Sequence, residues 1–269
     1  MGSRDQLDIT KVRAALVGTR FSGKLQHFSA VGSTNAMLLE EAAAGAAEGT
    51  VFVADEQTAG RGRGGHSWHS APGEGLYVSV LAKPTLPLRE ALWISLATGL
   101  AVQRAVHSAA GASVDIRWPN DLLLEGKKCG GILVETAVEP DRVSMLRYAV
   151  IGIGVNVNHA AYPEELAALA TSLRIATGQE QERGALLVAL LRALDQELAV
   201  LEDPTAAEES ALLERFAAAS SWVSGKRVNV PEQGGYTGVT AGLDTHGFLL
   251  VDGDDGVRRT VLSGGVREA

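Results

Sequence analysis

Four short runs rich in apolar and β-branched residues, at 114–118, 122–124, 131–135 and 148–153, succeed one another with no helical pattern between them. The first three are joined by short connections containing the turn sequences Pro119-Asn120-Asp121 and Glu125-Gly126-Lys127. Parallel neighbours need a crossover of about a dozen residues or more, so strands linked this tightly must pair as hairpins. The expected sheet is mainly antiparallel or mixed.

Two further strands are expected at 50–54 and 76–81. Helical spacing is seen at 10–17, after the capping sequence Ser33-Thr34-Asn35 through 37–47 with a stop at Gly49, and at 89–110. From Pro163 to Ala219 the pattern is helical, most strongly at 185–201, and Pro204 divides it. After Ser220 the texture returns to β runs at 227–230, 236–241, 248–251 and 257–262, set between glycine-rich turns. We therefore expect an α/β (α+β) unit with a mixed sheet over 1–219 and a small barrel or sandwich over 220–269.

Charge and cysteine usage narrow the partners. The chain carries a formal net charge of −8, so no sequence-wide positive field exists to hold a polyanion, and nucleic acid is not an expected partner. Its single cysteine, Cys129, excludes an intrachain disulfide and supplies too few thiolates for a structural zinc site. It is expected to be a small buried side chain rather than a nucleophile. No uncharged apolar stretch of about 18 residues occurs, and residues 1–6 lack the basic-then-apolar run of a secretory signal. A cytoplasmic protein without a membrane segment is expected.

Gly60-Arg61-Gly62-Arg63-Gly64-Gly65 concentrates four glycines and two arginines between expected strands. Glycine lets backbone N–H groups approach an anion closely, while guanidinium forks grip phosphate or carboxylate. The segment lacks the lysine and hydroxyl residue of a P-loop and does not match the dinucleotide fingerprint. By itself it also suits a plain surface loop, and much less well an RGG-like RNA contact, because such elements come in many copies and this one occurs once in an acidic chain. Arg117-Trp118-Pro119-Asn120-Asp121 sets an aromatic, an amide and a carboxylate around a rigid turn, a group able to face a magnesium-bound triphosphate or simply to pack as a turn. Lys128 follows seven residues after Asp121 and precedes Gly130-Gly131, which sets one cation beside approachable backbone.

Five segments stand in an order that resembles the biotin–protein ligase family. They are Ser33-Thr34-Asn35, the run from Gln57 through Gly60-Arg61-Gly62-Arg63, Arg117-Trp118-Pro119-Asn120-Asp121, Lys128-Cys129-Gly130-Gly131-Ile132-Leu133, and Gly152-Ile153-Gly154-Val155-Asn156. The resemblance implies an SH2-like catalytic domain followed by an SH3-like β-barrel. It further implies two-step chemistry, in which biotin and Mg-ATP give biotinyl-5′-adenylate, and the lysine of a biotin carboxyl carrier domain, as in acetyl-CoA carboxylase, then takes the biotinyl group.

On this resemblance Lys128 is expected between the biotin carboxylate and the α-phosphate as the main electrostatic catalyst, with Arg63 beside it. Ser33, Thr34, Asn35, Gln57, Gly60, Arg61 and Gly131 are expected to contact biotin. Arg63, Trp68, Asn120, Asp121, Lys128 and Asn156 are expected to contact the nucleotide, with Trp68 stacking on adenine and Asp121 reaching Mg2+. Arg61 and Arg63 are expected to close as a lid over the adenylate. Two positions depart from the family pattern: Arg117 replaces a lysine and His66 replaces a further arginine. The stretch before Val31 is too short for the winged helix-turn-helix of bifunctional relatives, so a monofunctional enzyme is expected, as a monomer or homodimer. The rival readings are a lipoyl or octanoyl ligase of the same superfamily and a nucleic-acid-binding regulator.

Overall fold

The structure, a computed structural model, describes residues 7–202, 206–232, 234–263 and 265–269. Its larger sheet has seven strands: β1 (Leu25–Phe28), β2 (Val51–Ala54), β3 (Gly75–Ala82), β4 (Asp115–Arg117), β5 (Asp121–Leu124), β6 (Lys127–Glu139) and β7 (Arg142–Asn156). Their order is β1-β2-β3-β7-β6-β5-β4. Only β1 and β2 run parallel; every other neighbouring pair is antiparallel, so the sheet is mixed.

The helices are α1 (Ile9–Ala15), α2 (Thr34–Ala43), α3 (Leu92–Ala110), α4 (Glu164–Ala167), α5 (Leu173–Thr177), α6 (Arg183–Glu202) and α7 (Ala206–Ala219). All eight residues of β3 are buried, because both faces of the sheet are covered. Leu76, Val78 and Val80 point into the main core with α3 and α6, whereas Leu81 joins Phe52, Val150 and the α2 residues Leu38 and Ala42 on the opposite face. Side chains alternate along a strand, so Ser79 faces the α2 side. That parity places a hydroxyl under the start of α2.

A second, five-stranded antiparallel sheet contains β8 (Ser224–Val230), β9 (Tyr236–Leu243), β10 (Leu249–Gly253), β11 (Arg258–Val261) and β12 (Arg267–Glu268), in the order β11-β10-β9-β8-β12. Register shifts in the β8–β9 and β9–β10 pairings supply the bend such a small sheet needs to curl. It is bolted to the larger unit. Trp118 Nε1 donates to Gly247 O at 2.9 Å, and Ser221 bonds Asp115 through its backbone N–H and its hydroxyl at 2.9 and 2.6 Å.

Several elements differ from expectation. β1 was not anticipated: its Gln26 and His27 blur the strand pattern, and its parallel partner β2 lies more than twenty residues on. The runs at 131–135 and 148–153 are the middles of a much longer hairpin, whose tip carries the charged residues Glu139 and Arg142. The helical stretch after Pro163 opens with the short α4 and α5 before the long α6. The expected break at Pro204 lies outside the described residues.

Candidate active site

Helix α2 begins at the cleft because Ser33 caps it, its side chain accepting the Ala36 N–H. The next residue is committed to Gln57, whose Oε1 accepts from both the N–H and the hydroxyl of Thr34 at 2.9 and 3.0 Å. From below, Ser79 Oγ lies 2.8 Å from Thr34 Oγ1 and donates to Asn35 Oδ1 at 2.6 Å. The Asn35 amide in turn donates to Glu135 Oε2 at 2.9 Å. Ser33, Thr34, Asn35 and Ser79 are all buried, so this is a polar network sunk into the sheet.

The glycine–arginine loop is a small closed hairpin. Trp68 N–H donates to Gly60 O at 2.9 Å, and Gly62 N–H donates to His66 O at 2.7 Å. Gly64 and Gly65 turn its tip with φ of 67° and 80°, the left-handed region where a side chain is strained. Burial pulls the Arg63 guanidinium below its ordinary pKa, against the opposing fields of Asp121 and Glu232. It remains a cation at neutral pH.

Trp68 is not poised over open space. Its indole lies flat on the glycines of β6 and β7, where a Cβ on Gly154 would come within 2.8 Å of it and one on Gly131 within 3.2 Å. Lys128 Nζ sits 5.6 Å from the ring centroid. The indole Nε1 is buried and meets no acceptor. Gly152 is bare for a related reason: a Cβ there would fall 2.4 Å from Asn35 Oδ1. The two glycines of the Gly152-Ile153-Gly154 pattern thus leave room for side chains lying on the sheet, not for tight strand packing.

Lys128 projects from the first residues of β6. Its Nζ is 2.5 Å from Asp121 Oδ1, while Arg117 donates twice to Asp121 Oδ2 at 2.6 and 3.2 Å. Burial raises the Asp121 pKa, but Lys128 and then Arg117 outweigh it and hold the carboxyl below its ordinary value. Arg117 also stacks over Trp222 of the C-terminal unit, 5.4 Å from the ring centroid. Asn120 spans from its turn to β6, its amide donating to Ile132 O at 3.0 Å.

These parts line a cleft of about 460 Å³, counting the space at its mouth that is open to solvent. Ser33, Thr34, Asn35, Gln57, Arg61, Arg63, Trp68, Asn120, Lys128 and Gly131, all anticipated from the sequence, line it together. Ser79 also lines it and was missed; its only signal is a lone hydroxyl inside the apolar run 76–81. A second cleft of about 960 Å³ shares Arg63, Asn120 and Ile132 and is completed by Ser95 with Phe248 and Leu262 of the C-terminal unit.

Three anticipated residues stand elsewhere. Gly60 closes the base of the loop hairpin, Asp121 serves as the counter-ion of Lys128, and Asn156 is buried with its amide donating to Thr171 O at 3.0 Å. Cys129 is buried, and desolvation pushes its thiol up to about 12, which suits packing and not attack. Among the described residues no helix is long and apolar enough to cross a membrane.

Comparison with known proteins agrees with this geometry. Residues 28–156 match the biotin/lipoate A/B protein ligase family, and residues 223–266 match the biotin protein ligase C-terminal domain. A biotin–[acetyl-CoA-carboxylase] ligase of Mycobacterium tuberculosis is 36% identical, over 97% of this chain and 95% of its own. A bifunctional ligase/repressor BirA of Bacillus spizizenii is 34% identical, over 94% of this chain and 77% of its own. A solved biotin protein ligase of Aquifex aeolicus, in complex with biotin and ATP, superposes with a TM-score of 0.78 at 29% identity, covering 92% of this chain and all of that one. With the polar network, the loop and Lys128 on one cleft and both family regions matched, the chain belongs to the biotin protein ligase family.

Proposed function

We propose that this protein activates biotin with ATP and transfers it to a carrier lysine. A carboxylate oxygen of biotin attacks the α-phosphorus of ATP, giving biotinyl-5′-adenylate and expelling pyrophosphate. The ε-amine of a lysine on a biotin carboxyl carrier domain, of the acetyl-CoA carboxylase type, then attacks the acyl carbon. An amide forms, the amine loses a proton, and AMP leaves.

The observation that carries this reading is the polarity of the cleft from end to end. Amide and hydroxyl groups of Thr34, Gln57, Asn35 and Ser79 cluster where Asn35 lies on Gly152, and the cation Lys128 stands beside Gly131, two residues further along the β6–β7 ladder. A ureido ring presents neutral donors and acceptors to the first, with its carboxylate one short alkyl chain away at the second. The dithiolane of lipoate presents no comparable donor or acceptor to this polar end and would gain none of those hydrogen bonds.

Activation sets a carboxylate against a polyphosphate, two like charges whose repulsion rises in a site partly closed to water. Lys128 cancels it between the biotin carboxylate and the α-phosphate, and Arg63 supplies the second cation where the two clefts meet. The wider cleft takes the nucleotide, with Asn120 at its edge and Phe248 and Leu262 as apolar walls. This makes the unit at 220–269 a wall of the active site. Trp68 belongs to the biotin tail, because its indole lies on Gly131 and Gly154 and does not line the wider cleft. Arg61 and Arg63 shield the mixed anhydride from water as the loop closes.

Magnesium enters with the polyphosphate as part of the substrate. Both oxygens of Asp121 are already engaged by cations, and among the described residues no group of three His, Cys, Asp or Glu side chains could hold a metal. The residues present do not form a resident metal site.

Incubating the protein with biotin, Mg-ATP and a purified acetyl-CoA-carboxylase carrier domain tests the proposal by mass. One biotinyl group should be added, and only when all components are present. A carrier that stays unmodified with biotin yet gains a lipoyl group from lipoate would reverse the assignment.

A further inference from the structure

Lys128 has an unusual backbone neighbour. Strand β7 pairs with β6 only as far as Gly130, which is opposite Val155, and β7 itself ends at Asn156. On the β5 side Lys128 still faces Leu123, just past a register shift between Leu122 and Leu123. Residues 169–171 take over where β7 stops. They form a parallel bridge in which Lys128 N–H donates to Leu169 O and Thr171 N–H donates to Lys128 O, both at 2.9 Å. Buried backbone groups must be paired, and this segment is what pairs those of Lys128.

The bridging segment is itself pinned at a single atom. Thr171 O accepts from Asn156 Nδ2 at 3.0 Å and from the Tyr162 hydroxyl at 2.7 Å, which occupies both lone pairs of that carbonyl. Burial pushes the Tyr162 phenol above its ordinary pKa, so it stays a donor throughout the neutral range. Its ring stacks on His159, with centroids 5.3 Å apart and planes inclined by 6°. His159 is fully buried, and burial followed by the field of His69 pulls its pKa to about 4, so the stack is between two neutral rings. The ring of His69, next to Trp68, lies 6.0 Å from that of His159.

We infer that Asn156 and Tyr162 are positioning residues for Lys128, acting through Thr171. A lysine stem is flexible, and its ammonium is placed only when both ends are held. Asp121 holds the head of Lys128; the bridge to 169–171 holds its root. Losing either bond to Thr171 O lets the bridge shift and moves the cation relative to the developing charge, where a displacement of about 1 Å costs up to about a hundredfold in rate. Substrate affinity is spared, because neither side chain lines either cleft. The inference rests on the role proposed for Lys128.

Biotin-dependent ATP–pyrophosphate exchange, normalised to biotin-binding sites, tests it with Tyr162→Phe and Asn156→Ser. Both variants should lose about tenfold or more in kcat, with KM for biotin and ATP within about twofold of the parent. A wild-type kcat for Tyr162→Phe overturns the inference, as does a loss for Asn156→Ser that falls on KM for ATP. Should Asn156→Ser not fold, the kcat-against-KM split of Tyr162→Phe decides alone. Lys128→Ala measured alongside separates the two levels: an active Lys128→Ala sinks the role of the lysine, whereas an inactive one beside a fully active Tyr162→Phe sinks only the positioning claim.

Discussion

The ammonium of Lys128 stands 2.5 Å from Asp121 Oδ1, an ion pair that ties the cleft's lysine, the residue best placed to meet an anionic substrate, to a carboxylate behind the cleft wall. Arg117 occupies the other carboxylate oxygen at 2.6 Å. With Lys128 shared between Asp121 and a bound carboxylate and phosphate, Arg117 still supplies Asp121 with a counter-ion, so drawing the ammonium toward substrate does not strand a charge.

This pairing makes stability depend on pH in a defined direction. The folded-state pKa of Asp121 lies below its ordinary value, so the carboxylate adds stability above about pH 4 and loses it as pH falls through the folded pKa. Asp121→Asn should lower Tm at pH 7, and its deficit against the parent should shrink as the melts are carried toward pH 2. A deficit that is constant over that range would mean the ion pair does not contribute.

Gly154→Ala tests the glycine floor. The new methyl would stand 2.8 Å from the Trp68 indole and force it to move. We expect biotin affinity to fall about tenfold or more, since the indole walls the ligand, with a stability loss of no more than about 1–3 kcal/mol from the overpacking. Wild-type biotin binding by titration calorimetry would show that Trp68 does not face the ligand.

Ser79→Ala removes the hydroxyl that supports Asn35 and Thr34 from beneath. The cost should be about 1–3 kcal/mol in denaturant melts, because buried partners are left unsatisfied. Biotin binding should weaken in parallel. A stability loss with unchanged biotin affinity would make the serine purely architectural.

Arg63→Ala should leave the fold intact and shorten retention of the adenylate, since the side chain borders both clefts. Release of radiolabelled adenylate, followed by filter binding, measures this. Retention equal to the parent would remove the loop from the shielding role.

Much of this was legible in the sequence for identifiable reasons. Turn residues punctuate β4, β5 and β6 at short intervals, so the antiparallel part of the sheet and the change of texture after Ser220 could be read from spacing alone. The Ser33-to-Asn35 cap was legible from its side-chain oxygens, whereas Lys128 and Asn120 were legible only through the resemblance of their ordered motifs to the biotin–protein ligase family. What stayed hidden depends on contacts distant in sequence. β1 becomes a strand by pairing with β2, Ser79 matters because α2 starts above it, and Asn156 sits at the end of β7 with its amide turned toward Thr171 instead of the cleft. Trp68 was expected over adenine, and only the bare glycines of two neighbouring strands explain why it lies flat on the sheet.

The central claim is that one cleft holds biotin with its carboxylate at Lys128. Biotin-dependent ATP–pyrophosphate exchange, run with biotin and with lipoate on the parent and on Lys128→Ala, tests it most directly. Exchange should occur with biotin alone and be lost in Lys128→Ala, whose melting transition stays cooperative and falls only by what the Asp121 ion pair contributes. Exchange supported by lipoate and not biotin, or near-parent exchange by Lys128→Ala, would contradict it.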